Sequence, residues 1–326
     1  MNLVVTGGAG YIGSVVAELA VQAGHTVTVI DNLNDGSRGA IPTPCDFVQG
    51  DVGDTRVLTR AFGLRRQDAV LHLAAEAAIG ISMTEPDRFY QANVVQGLAL
   101  LDAMRAHGVS RLVFASTAAV YGEPQGVPID ERHPKAPINA YGDSKLAFET
   151  ILRWYHHAYG LKSISFRFFN AAGATAEHGE ARRHETHLIP RILDVATGVR
   201  PMLTLYGDDY PTRDGSCVRD YVHVADIGRA HLLALDALDR IQLDAFNIGT
   251  ETGATVFEVL RATEAVVGRR IPMTIEPRRP GDPAVLVASH QRIRSELKWE
   301  PQQPALEEIV RSAWAWRQSH PSGYAS

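Results

Sequence analysis

Gly8-Ala9-Gly10-Tyr11-Ile12-Gly13 stands directly behind the apolar run Leu3-Val4-Val5-Thr6. A backbone that must turn tightly and approach a pyrophosphate within hydrogen-bonding distance cannot carry side chains there, and glycines remove them. The helix that opens at Gly13 supplies unpaired N–H donors and a partial positive charge. At the end of the next apolar run, Thr26–Ile30, comes Asp31. A carboxylate at that place accepts hydrogen bonds from an adenosine ribose diol and repels a 2′-phosphate, so the predicted cofactor is NAD rather than NADP. Asp51, after the third strand, could reach the adenine ring, and a solvated acidic turn in Gly50-Asp51-Val52-Gly53 accounts for it equally well.

Outward from this turn, short runs rich in β-branched residues alternate with helical patterns. The strands are Leu3–Thr6, Thr26–Ile30, Asp46–Gln49, Ala69–Leu73, Arg111–Ser116 and Ser163–Phe168; the main helices are Gly13–Ala23, Asp87–His107 and Tyr141–Tyr159. That alternation predicts an α/β fold, a Rossmann-type doubly wound parallel sheet. After Ala171–Gly179 the pattern becomes less regular. Helices are expected near Pro190–Gly198, His223–Leu238, Thr255–Val267 and Pro304–Arg317, with strands at Leu203–Tyr206 and Ala245–Ile248. The division is an NAD-binding domain over 1–172 and a smaller mixed α/β substrate lobe over 173–326, with segments around 219–250 returning to the first domain.

The net charge of −5 and the lack of a Lys/Arg-rich run argue against nucleic acid or an anionic membrane as partner. No apolar stretch is long enough for a membrane span. The first strand starts almost at once, leaving no room for a signal peptide. Two cysteines, Cys45 and Cys217, make neither a disulfide framework nor a zinc site, and the expectation is a cytoplasmic protein.

A second motif lies more than a hundred residues on. In Tyr141-Gly142-Asp143-Ser144-Lys145 the tyrosine and lysine are four apart on a predicted helix and share a face. A phenol titrates near pH ~10 and is a poor base at neutrality. A nearby ammonium, together with a positive nicotinamide ring, favours the phenolate. Upstream, Phe114-Ala115-Ser116-Thr117 ends a strand in hydroxyls, and Thr117 is placed to hydrogen-bond a substrate oxygen.

Thr117, Tyr141 and Lys145 with the glycine string resemble the extended short-chain dehydrogenase/reductase superfamily. Within it the chain is similar over nearly its whole length to the UDP-glucose 4-epimerase family. The segments carrying the likeness are TGGAGYIGS (6–14), DNLNDGS (31–37), STAAVYGEP (116–124), YGDSKLAFE (141–149), RFFNAAGA (167–174), LYGDDYPTRDGSCVRDYVHVAD (205–226), FNIGT (246–250) and PRRPGD (277–282).

The resemblance implies reversible inversion of C4 in UDP-galactose and UDP-glucose through a 4-keto sugar, with NAD regenerated each turnover. Tyr141 would move the 4-hydroxyl proton, Lys145 would tune Tyr141 and hold the nicotinamide ribose, and Thr117 would bridge to the sugar oxygen. It further implies a cofactor site of Gly7, Gly10, Tyr11, Ile12, Gly13, Asp31, Asn32, Asp51, Val52, Leu73, Ala74, Ala75, Asn93, Ser116 and Phe168, besides Tyr141 and Lys145. The implied UDP-sugar site comprises Asn170, His187, Leu188, Thr204, Tyr206, Arg219, Arg279 and Asp282, with Thr117. Arg219 and Arg279 are assigned to the diphosphate, whose oxygens a guanidinium fork matches, and Asp282 to the uridine ribose. A homodimer through the helices near 87–107 and 141–159 is also implied.

Three positions depart from the family pattern or leave it open. Glu76-Ala77 stand where a lysine usually helps hold the cofactor phosphate. Phe168 replaces a common tyrosine. Leu286 falls where the family gates room for a 2-N-acetyl group. No metal site is expected: His184-Glu185-Thr186-His187 offers no evident third ligand and reads as a solvated loop.

Overall fold

The computed structural model describes residues 1–182, 185–279 and 282–324. Seven strands form one sheet. Its first six in chain order are β1 (Asn2–Thr6), β2 (Thr26–Asp31), β3 (Asp46–Gln49), β4 (Ala69–His72), β5 (Arg111–Thr117) and β6 (Lys162–Phe168). The seventh, Leu243–Ile248, lies at the edge beside β6, and the spatial order is Leu243–Ile248, β6, β5, β4, β1, β2, β3. Every pairing is parallel.

Both faces of such a sheet are covered, so successive residues on a strand enter different cores. In β1, Leu3 and Val5 join the cluster of Val16, Ala20, Phe166, Ile227 and Phe246, while Val4 joins that of Leu58, Leu101, Phe114, Phe148 and Leu152. The first layer contains helices Tyr11–Gln22, Val224–Ala237 and Gln291–Leu297. The second contains Thr55–Gly63, Gln96–Ala106 and Ala140–Tyr159.

A third core gathers helices Leu188–Ala196, Val256–Val267 and Leu306–Ser319 around Ile192, Val259, Leu260, Ile309 and Val310. The strands Leu203–Tyr206 and Met273–Glu276 pair beside it. Of the two tryptophans in the last helix, Trp316 is buried and Trp314 only half-buried, as a spacing of two on a helix requires.

The predicted helix Asp87–His107 is present as one helical run from Pro86 to Ala106, but its α pattern is interrupted by a π turn over Gln91–Val95. Helices Thr55–Gly63 and Gln291–Leu297 and strand Met273–Glu276 were not anticipated from sequence.

Strand order reverses at β1, which pairs with β2 on one side and β4 on the other. Ligands of open α/β sheets bind outside the carboxyl ends of the strands at this point. The glycine turn, Asp31, Leu73 and Thr117 all follow or end strands there.

Candidate active site

The three glycines of the fingerprint are needed for different reasons. Gly7 has φ +71°, and a Cβ on it would lie 2.6 Å from the Ala74 nitrogen. A Cβ on Gly13 would come within 2.0 Å of the Gly7 carbonyl oxygen, so close helix–strand packing forbids it. At Gly10 an added Cβ would meet only that same oxygen, at an acceptable 3.4 Å. The chain itself does not require glycine at Gly10; an approaching pyrophosphate would. No side chain caps the helix that begins at Tyr11, which leaves its first N–H groups for a ligand. This cradle fits a dinucleotide phosphate.

Asp31 is fixed at the end of β2 by the Ala9 N–H at 3.0 Å and the Leu33 N–H at 2.8 Å. Burial raises its carboxyl above the ordinary value, against the downward pull of those two N–H groups. Asn32 donates to Asp51 at 3.3 Å, and Val52 is buried beside them. On the β4 side, Thr6 accepts from Leu73 N through its carbonyl at 3.0 Å and from Ala74 N through its hydroxyl at 3.3 Å. Asn93, turned inward by the π turn, accepts from Glu76 N and donates to the Glu76 carbonyl and the Ser144 hydroxyl. It therefore joins the 73–76 loop to the helix of Tyr141. The Glu76 carboxylate is paired with Arg88 at 3.0 Å. Tyr11 donates to the Gly173 carbonyl at 2.6 Å, and Phe168 packs on His231.

Tyr141 lies in the first turn of helix Ala140–Tyr159, whose N-terminus Asn139 caps by accepting from Gly142 N at 2.8 Å. The Thr117 hydroxyl stands near enough to Tyr141 to draw its phenol down, and it accepts from Ala119 N at 3.1 Å. Lys145 donates to the Ala115 carbonyl at 2.8 Å and sits 4.8 Å from the Phe114 ring centre. Strand end and helix face thus bring hydroxyl, phenol and amine together.

Burial pushes the Tyr141 phenol up, while the Thr117 hydroxyl and the Arg182 charge draw it down; the net direction is upward. Burial draws the Lys145 ammonium down to about 7, opposed by Glu149. The protein alone therefore does not make a phenolate at neutral pH.

On the substrate side, Asn170 N donates to the Asp220 carbonyl at 2.9 Å. Thr204 and Tyr206 lie on strand Leu203–Tyr206, and the Arg279 guanidinium covers the Tyr206 ring at 3.9 Å. Arg219 and Asp282, assigned from sequence to different parts of a UDP-sugar, pair with each other, and Arg219 also donates to the Val218 carbonyl at 2.7 Å. Leu188 opens helix Leu188–Ala196 and packs on the third core. Leu286 rests against Val120, Tyr121 and Ile129.

The reading that His184–His187 lacks a third ligand needs correction. Glu180 joins Glu185 and His187, with ligand atoms all within 4.8 Å of one another. Arg182 stands 3.8 Å from Glu180 and supplies positive charge there, and His187 bonds Glu185 at 2.7 Å. His184, like Pro280 and Gly281 of the 277–282 segment, lies outside the described residues.

The sequence pattern of the NAD dependent epimerase/dehydratase family matches residues 3–249. The chain belongs to that family. It is 45% identical over 327 residues to the UDP-glucose 4-epimerase of Lacticaseibacillus casei, covering 99% of each chain. With that of Corynebacterium glutamicum the identity is 46% over 316 residues, 97% of this chain and 95% of the relative. Among solved structures, a crystal structure of a UDP-glucose 4-epimerase superposes with a TM-score of 0.97 at 42% identity, covering both chains fully. The Bifidobacterium longum UDP-glucose 4-epimerase in complex with NAD+ and UDP superposes with a TM-score of 0.95 at 34% identity, covering 99% of this chain and 100% of that one.

Two features of this family member were not read from sequence. The Arg182 charge bears on Tyr141, and Arg182 stands in a stretch of sequence with no periodic signal. Ser116, expected at the cofactor, donates its hydroxyl to Glu149 at 2.6 Å.

Proposed function

We propose that this protein interconverts UDP-galactose and UDP-glucose by inverting C4, holding NAD between turnovers. The observation that carries this is that Thr117 at the carboxyl end of β5 meets Tyr141 and Lys145 of helix Ala140–Tyr159 on the same edge of the sheet as the glycine cradle after β1. The chain around them matches proteins described as UDP-glucose 4-epimerases over 95–99% of their length.

The nicotinamide cofactor, when bound, would supply reversible hydride transfer at C4. Tyr141 takes the 4-hydroxyl proton and returns it, and Thr117 orients that oxygen. The chain by itself raises the phenol, so the positive charge of the bound cofactor favours its ionised form. Lys145 adds an ammonium and holds the cofactor ribose. Asp31 accepts from the adenosine ribose and excludes a 2′-phosphate. Arg219 and Arg279 bind the diphosphate while the sugar turns between its two presentations. Asp282 accepts from the uridine ribose, so substrate entry exchanges the Arg219–Asp282 pair for contacts to nucleotide. The remaining cofactor and UDP-sugar residues named from sequence keep those assignments here. Dehydration is disfavoured because Ala118 and Ala119, which follow Thr117, offer neither acid nor base.

We keep the division at 172/173, with segments around 219–250 belonging to the first domain, whose sheet strand Leu243–Ile248 joins. We also assign a homodimer in the cytoplasm. Val95, Trp154 and Tyr159 are 50%, 61% and 53% exposed on the paired helices of the first lobe, an apolar surface suited to a second copy. Both cysteines are free, and no described helix is long and apolar enough to cross a membrane.

Purified protein given UDP-galactose without added NAD should form UDP-glucose, and Tyr141→Phe should lose on the order of 10²–10⁴-fold in kcat while remaining folded. No conversion by the wild type, with or without NAD+, or full activity in Tyr141→Phe, would contradict the assignment.

A further inference from the structure

Behind the catalytic side chains lies a buried polar group that the proposed chemistry leaves without a role. Glu149 stands one helical turn beyond Lys145, as Lys145 stands one turn beyond Tyr141, so the three share a face. Glu149 Oε1 accepts from the Ser116 hydroxyl at 2.6 Å and from Arg167 Nε at 3.0 Å, and Oε2 accepts from the Arg167 terminal nitrogen at 2.6 Å. The Arg167 and Glu149 side chains are 5% and 10% exposed. Three elements are thereby tied together: the catalytic helix, the end of β5, and β6.

The place of attachment matters. Ser116 lies between Ala115, whose carbonyl holds Lys145, and Thr117, whose hydroxyl bears on the Tyr141 phenol. The carboxylate grips the strand segment that meets both catalytic side chains. Arg167 donates onward to the Tyr121 hydroxyl at 2.9 Å, and Tyr121 to Asn247 on the edge strand at 2.7 Å. Arg167 is thus held from two sides.

Stability alone does not explain such a pair, since well-packed apolar residues of similar volume serve as well. An apolar pair cannot, however, set a negative charge near a buried amine. Lys145 is faced from β4 by His72, which burial and the Lys145 charge hold at about 3 and therefore neutral. From β5 come the Ala115 carbonyl, the Phe114 ring and the Ser116 and Thr117 hydroxyls. From its own helix come Tyr141 and Glu149, and from β6 comes Arg167, bound to Glu149. Among these groups Glu149 is the anion, and its charge opposes the downward pull of burial on Lys145.

We propose that Glu149 is a positioning residue of this site: it locks the Ser116–Thr117 end of β5 to the catalytic helix and, as the anion near Lys145, helps that side chain hold its proton. The proposal rests on the epimerase reading above.

The test is the pH dependence of kcat/KM for UDP-galactose in wild type, Glu149→Gln, Glu149→Gln/Arg167→Gln and Ser116→Ala, with folding checked by circular dichroism. Without the anion, Lys145 gives up its proton at lower pH. The alkaline limb should therefore move down by about one pH unit in Glu149→Gln, the lower end of the effect of one close opposite charge. The double variant leaves no unpaired buried charge, so it should fold even where the single variant does not; having lost the Arg167 cation too, it should show a smaller displacement in the same direction. Ser116→Ala keeps the charge but loosens the strand end, so kcat should fall while the limb stays in place. An unmoved limb in either folded Glu149 variant would overturn the proposal. A wild type inactive at every pH would instead overturn the epimerase reading.

Discussion

An amine buried against Phe114 with a single carbonyl partner loses most of its hydration, and the Lys145 ammonium falls from its ordinary 10.5 to about 7. The unfolded chain keeps this proton up to about pH 10.5. Between those values the unfolded state binds more protons, so stability rises with pH through that window, and below about 7 the cost is complete. At one to two kcal/mol per pK unit the full cost is on the order of a few kcal/mol. Lys145→Met replaces the amine with an apolar chain. We expect it to abolish turnover yet raise the urea midpoint of NAD-free protein at pH ~6, with the gain shrinking toward pH ~10. Equal midpoints at the two pH values, relative to wild type, would show that Lys145 is better solvated than its 2% exposure implies.

Among the elements, the β1–turn–helix unit separates structural from functional glycine. Gly13→Ala places a methyl 2.0 Å from the Gly7 oxygen and should destabilise the fold. Gly10→Ala meets no closer neighbour than 3.4 Å and should leave the thermal midpoint nearly unchanged, yet weaken NAD binding at least tenfold, or ~1.4 kcal/mol. Calorimetric titration with NAD alongside thermal unfolding checks both. This unit was legible because its signal is local: strand, glycines and helix adjoin in sequence, and β1 and β2 are short runs rich in β-branched residues. The Tyr141–Lys145 pair was legible for the same reason. Met273–Glu276 was not, because it forms only by pairing with Leu203–Tyr206 about seventy residues away. The π turn that directs Asn93 inward has no simple periodic signature. The Glu149–Ser116–Arg167 tie and the approach of Arg182 to Tyr141 depend on several elements folding together, which no single stretch records.

At the scale of the whole molecule, the exposed Val95, Trp154 and Tyr159 lie on helices whose other faces build the sheet's second core, so the same elements that support Tyr141 would carry the dimer. Trp154→Asp should convert a dimer to a monomer in sedimentation equilibrium while sparing the thermal transition of the protomer; a monomeric wild type would contradict the assignment. The central claim concerns the route by which C4 is inverted: hydride leaves and returns without meeting solvent, while Tyr141 exchanges only an oxygen-bound proton. The direct measurement is conversion of UDP-galactose in deuterium oxide, with the UDP-glucose product read by mass spectrometry and proton resonance. The account predicts product without deuterium at C4 after many turnovers. Deuterium incorporated at C4 would mean that a carbon-bound proton exchanges with solvent, and would contradict the hydride route built on Thr117, Tyr141, Lys145 and the glycine cradle.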